Sequence, residues 1–68
     1  MTKYFKTSEE ALSNAIMVIM EAKSNVIWGF SKAQCDCGES EAIVVDDLES
    51  NKQVCNNIIC ETCHNEYE

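Results

Sequence analysis

The stretch CDCGESEAIVVDDLESNKQVCNNIICETC, residues 35–63, decides the reading of this chain. It opens on Cys35-Asp36-Cys37 and closes on Cys60-Glu61-Thr62-Cys63, with 22 residues between the two pairs. Two thiolates one or two residues apart reach the same ion only if the backbone turns sharply. Gly38, just after the first pair, supplies the permissive backbone such a turn needs. N–H groups on such turns point at sulfur and stabilise its negative charge. Two turns of this kind, face to face, make a tetrahedral thiolate cage, and Zn²⁺ is the ion such a cage most often holds. Between the pairs, Ala42–Asp46 has strand composition, Asp47–Asn51 is polar and turn-like, and Lys52–Ile59 can return as the partner strand.

Cysteine knuckle, hairpin, cysteine knuckle is an order that resembles the zinc-ribbon class over about residues 33–65. The resemblance is to an architecture, and it implies one Zn²⁺ held by Cys35, Cys37, Cys60 and Cys63. Three features depart from the pattern. The first pair has one intervening residue, His64 stands where a Gly follows the second pair, and Cys55 is a fifth thiol. His64 in place of Cys63, or Cys55 in place of one of the four, are therefore alternative ligand sets, and ligand type alone does not separate zinc from iron in a rubredoxin-like cage. As a non-ligand, Cys55 alternates with Val54 and reads as a small buried hydrophobe.

Sixty-eight residues make one domain, residues 1–68, with a helix-containing part (1–32) and a ribbon-like part (33–65). A domain this small buries only roughly 60% of its unfolded-chain surface, so a metal, disulfide or partner chain commonly stabilises it. The start lacks the apolar segment of a secretory signal, and Ala15–Met20 is too short to cross a bilayer. The expected location is cytoplasmic, where an odd number of cysteines in C-x-C and C-x-x-C spacing reads as metal ligation rather than disulfides.

The formal net charge is −7. Residues 34–68 carry Lys52 alone against nine acids, whereas residues 1–33 carry four lysines against Glu9, Glu10 and Glu21. Four thiolates around Zn²⁺ add about −2 to the acidic half. Nucleic-acid binding rests on cations that neutralise phosphates, so direct binding of DNA or RNA is not expected, and a protein with a basic surface is the more natural partner. Solubility alone also accounts for the acids.

In the first half, Thr7 and Glu10 have capping-box spacing, and Ala11, Leu12, Ala15, Ile16, Val18, Ile19 and Ala22 fill one arc of a helix. Lys23 suits the helix's negative end, and Asn25 is its stop. Val26–Phe30 reads as a strand with Trp28 in the core, and Gly29 as a bulge or close approach. Lys3–Lys6 is expected beside it, giving a β-α-β start. The tail from Glu61 forms a short helix or frays. The fold class is thus α+β: a β-α-β element followed by a ribbon-like hairpin.

A closed four-thiolate shell leaves no position for activated water, and the one histidine adjoins Cys63, so catalysis is not expected. The expected function is a zinc-binding protein–protein interaction module, a regulator or inhibitor docking on transcription, translation or another host machinery. The chain is similar in style to small phage or mobile-element products. Candidate contact residues are Met17 and Met20, which either edge the core or form an adaptable surface, and the acidic hairpin residues Glu39, Glu41, Asp46, Asp47 and Glu49. The competing reading is nucleic-acid binding through Lys3, Lys6, Lys23 and Lys32 with Tyr4, Phe5, Trp28 and Phe30. A homodimer through the wide helix face is compatible with the first reading.

Overall fold

Thr7 starts the first helix as its sequence suggests. Its Oγ1 accepts a hydrogen bond from the Glu10 N–H at 3.3 Å, and its carbonyl accepts one from the Ala11 N–H at 3.2 Å. The computed structural model describes residues 2–22 and 25–67. These form β1 (Thr2–Phe5), α1 (Ser8–Ala22), β2 (Val26–Cys35), β3 (Gly38–Asp47), β4 (Lys52–Ile59) and α2 (Glu61–Tyr67). Lys23, expected to complement the end of α1, lies outside the described residues. The fold is α+β, with two helices and one four-stranded sheet among the described residues.

The strand order is β1-β4-β3-β2. The strands β2, β3 and β4 form an antiparallel meander, and β1 adds to β4 in parallel, from Thr2↔Asn56 to Phe5↔Ile59. This corrects the expected β-α-β start, in which β1 lay beside β2. The two strands instead occupy opposite edges, and α1 crosses the sheet between them. Tight turns favour the local antiparallel pairings of β2 with β3, from Val26↔Asp47 to Cys35↔Gly38, and of β3 with β4. The meander they form has two open edges, and β1 joins that of β4, where the Cys60 N–H to Phe5 carbonyl bond extends the pairing.

A second difference concerns β2, which runs five residues beyond Phe30 to Cys35. Ser31–Gln34 has no strand composition, but pairing with β3 overrides that propensity. The first cysteine pair is therefore the turn of the β2–β3 hairpin. No irregularity falls at Gly29, where an added Cβ meets nothing within 4 Å; the bulge lies between Val45 and Asp46 on the β3–β4 side.

The core sits between α1 and the sheet. Ala11 and Ala15 are fully buried against Ile43, Val45 and Cys55, with Phe5, Leu12, Val18, Ile19, Val26, Val54 and Ile59 around them. Two alanines let the helix backbone approach the sheet closely. That approach leaves the far side of the arc uncovered, and Ile16 is 46% exposed rather than buried as expected. Asn57 is also fully buried, and its Nδ2 donates to the Ala11 carbonyl at 3.0 Å and to Asn14 Oδ1 at 3.1 Å. The helix rests mainly on β4 and β3, so edge strand β2 extends past it. Trp28, expected in the core, is 46% exposed there, and Phe30 is 67% exposed.

Ala42 and Ile58 line the opposite face, together with Tyr4, their neighbour in register. The second helix lies against that face at the end of the sheet where β2 and β4 finish, with Tyr67 stacked on Tyr4 at a centroid separation of 5.1 Å. At the other end, the β3–β4 turn is tied down internally. The Glu49 N–H donates to Asp47 Oδ1, the Leu48 N–H to the Asn25 carbonyl, and Asn25 Nδ2 to Glu49 Oε2. No helix among the described residues is long and apolar enough to cross a membrane.

Candidate metal centre

Cys35 ends β2 and Cys37 sits in the turn that follows. Gly38 opens β3 with φ of +130°, a backbone region that a side chain disfavours, so the turn selects glycine. The second pair enters differently. The Cys60 N–H donates to the Phe5 carbonyl at 2.9 Å, prolonging the β1–β4 ladder by one residue. The Cys60 carbonyl then accepts the His64 N–H at 2.9 Å and starts α2, whose first turn carries Cys63. Because β2 and β4 run in the same direction, the hairpin turn and the start of α2 fall at one end of the sheet.

The sulfurs of Cys35, Cys37, Cys60 and Cys63 all lie within 4.8 Å of one another. The separations are 3.0 Å for Cys35–Cys37, 2.9 Å for Cys37–Cys60, 3.5 Å for Cys35–Cys60 and 3.7 Å for Cys37–Cys63. All five cysteines are free thiols. With Zn–S bonds of about 2.3 Å, the edge of a ZnS₄ tetrahedron is about 3.8 Å. The Cys37–Cys63 and Cys35–Cys60 separations are close to that edge, and the Cys35–Cys37 and Cys37–Cys60 separations are shorter than it. The donor set fits a soft or borderline divalent ion, and the site is ribbon-like in having two cysteine turns brought together.

The thiols share protons unevenly. Hydrogen bonds from Cys37 and then Ser40 bring the Cys35 thiol down to about 6. Cys60 is also lowered, first by its bond with Cys37. Cys37 is raised, because its proton bridges to Cys35 and Cys60, and burial raises Cys63. Four sulfurs this close cannot all carry charge unless a cation offsets their repulsion.

Cys55 takes no part in the cluster. It is 5% exposed in the core below α1, and burial raises its thiol. His64 also lies outside the cluster, its Nδ1–H donating to the Tyr4 carbonyl at 3.0 Å. Sequence reading missed the groups around the cage. Ser40 Oγ lies 3.2 Å from Cys35 Sγ, and the Tyr67 hydroxyl donates to the Asp36 carboxylate inside the first cysteine turn. Proximity of Asp36 to cysteine was visible in the sequence, but no local pattern reveals an α2 tyrosine reaching back across 31 residues.

The other candidate residues lie apart. Met17 and Met20 are 59% and 74% exposed on α1. Asp46, Asp47 and Glu49 gather at the β3–β4 turn, whereas Glu39 and Glu41 lie at the cysteine end of β3, so the acids do not form one continuous face. Asp47 and Glu49 also hold the turn together. Among the lysines, Lys6 pairs with Glu61 at 3.8 Å, Lys32 stands across from Glu41, and Lys3 lines a shallow cleft with Asn14 and Met17. No protein-family model matches the chain, and neither a curated protein nor a solved structure matches it.

Proposed function

We propose that this chain is a zinc-stabilised, non-enzymatic protein-interaction module that works in a reducing, cytoplasmic setting as a regulator or inhibitor of a larger machinery. The observation that carries this reading is the meeting of four thiols from two turns 22 residues apart. Zinc held by Cys35, Cys37, Cys60 and Cys63 supplies a closed, structural crosslink. The alternatives in which His64 or Cys55 enters the set find no support, since His64 is engaged with Tyr4 and Cys55 is in the core.

The need for such a crosslink follows from the thin interior. Ile43, Val45 and Ile58 are its only branched aliphatics that count as buried among the described residues, each worth about 1.5–3 kcal/mol. A single core below about 70–80 residues rarely supplies more than 3–5 kcal/mol. What the structure offers outward is side-chain surface: Met17 and Met20 on the helix, and acids at both ends of β3. That pattern favours a protein partner over nucleic acid, because Lys6 and Lys32 already face acids.

Native mass spectrometry of fresh protein tests the metal: one zinc per chain is expected, and chelation should unfold it. A metal-free chain that keeps its fold under reducing conditions defeats the proposal. Partner class is tested by labelled single-stranded and duplex DNA and RNA at physiological salt, and their retention overturns the preference for protein.

A further inference from the structure

The outer edge of β2 is an open strand edge. Ten residues long, it carries no proline, no bulge on its β3 side and one charge, Lys32. No strand pairs with its other side among the described residues. Proteins ordinarily blunt such an edge with charges, prolines, bulges or a covering segment. Here the flank is instead apolar. The register places Trp28 opposite Val45 and Phe30 opposite Ile43, so both side chains stand on the α1 face, and they meet edge-to-face at 5.9 Å. Leu12 closes the same flank from the helix, near Phe30, with Glu9 and Glu41 beside it, and the exposed Ile16 continues it along α1.

We infer that this flank is a self-association surface, in which β2 of two copies pair antiparallel to make a continuous eight-stranded sheet. Resting on the reading of the chain as an interaction module, it names a second copy as one partner. Symmetry argues for that occupant. Antiparallel pairing within one sheet requires a two-fold axis perpendicular to it, which keeps both α1 helices on the same face. The valley between the two helices is then lined from both sides by Leu12, Ile16, Trp28 and Phe30, with Glu9 and Glu41 at its rim. Taking about 150–250 Å² per large side chain, the exposed parts of Ile16, Trp28 and Phe30 come to about 300 Å² per copy, and the ten-residue backbone edge adds to it. A standard interface takes about 800 Å² from each partner.

The charge makes the occupant distinguishable. Two copies at −7 repel, so self-association strengthens as salt screens that repulsion, whereas docking of a basic partner weakens. Sedimentation equilibrium of the zinc-loaded chain, with metal content measured in parallel, should give twice 7.7 kDa, with dimer favoured by raising NaCl from about 0.05 to 0.5 M. Hydrogen exchange of the unaltered chain should show concentration-dependent protection of alternate amides in β2. Phe30→Lys and Ile16→Lys, both at exposed positions, should each weaken association at least about tenfold while keeping metal and circular dichroism unchanged. A metal-loaded chain that stays monomeric in both salts overturns the inference and leaves the zinc reading standing. So does a dimer that survives both substitutions, one that weakens with salt, or one with no added β2 protection.

Discussion

Replacing two of the five cysteines by serine, one at a time, should give opposite results from the same chemical change. Cys63→Ser removes a thiolate donor that is 1% exposed at the start of α2. Structural zinc in comparable small domains contributes about 10–16 kcal/mol of apparent binding free energy at neutral pH. Set against the at most 3–5 kcal/mol that a small core supplies, impairing that site leaves a chain with little or no net stability. The variant should lose metal, and its circular dichroism should be that of a largely unfolded protein. Cys55→Ser leaves the cage untouched and exchanges a buried thiol for a buried hydroxyl beneath Ala11 and Ala15. An incompletely satisfied hydroxyl there costs about 1–3 kcal/mol. For a domain of this size, that lowers Tm by about 4–24 °C at full metal occupancy. Zinc-release colorimetry and thermal melts on both variants provide the assay. Metal retained by Cys63→Ser with a native melt, or metal lost from Cys55→Ser, refutes the assignment of the cage.

Further outcomes follow from the same geometry. Because Cys35 is brought down to about 6, its thiolate is present above that pH, and acidification through it lets protons compete with the metal. Cys37 and Cys63 are raised and hold their protons at neutral pH, so metal affinity should already fall as pH drops from about 8 to about 6, and by one further proton per ion below about 6, in a competition titration with a chromophoric chelator. Zinc uptake at about pH 8 should release fewer than four protons per ion in weak buffer. A release of four contradicts the lowered thiol. Tyr67→Phe removes the hydroxyl bond to Asp36 but keeps the stack on Tyr4. It should speed hydrogen exchange within 61–67 while leaving metal stoichiometry unchanged. Ala15→Leu forces bulk into the closest helix–sheet contact and should destabilise by about 1–3 kcal/mol or more in a denaturant melt, since Ala15 has no exposed surface.

Where the sequence carried local information, the structure followed it. Thr7 and the run Ala11–Ala22 specify α1 through a cap and a 3.6-residue period, and both signals lie within a few turns. The cysteine pairs announced their meeting because chelate spacing is itself a geometric constraint, and Gly38 marked the turn. Partnerships across long separations were not legible. Thr2–Phe5 is too short to encode which strand it joins, and only the assembled meander leaves β4 as its edge. Ser31–Gln34 became strand because β3 lies beside it, not from its own composition. The exposure of Trp28, Phe30 and Ile16 depends on which strands α1 covers, and that follows from the sheet order.

The parallel union of Thr2–Phe5 with Asn56–Ile59 carries a consequence for biosynthesis. Strand β1 is made before β4 and finds its neighbour only after more than fifty further residues have been made. Until then its apolar side chains, Tyr4 and Phe5, travel without a mate, and the meander of β2 to β4 has an open flank. Closure across so long an interval is entropically slow, so the nascent chain passes through a window of vulnerability to proteases and aggregation. Metal supply at the moment Cys60 and Cys63 emerge would shorten that window, so protein yield should follow the metal available during translation.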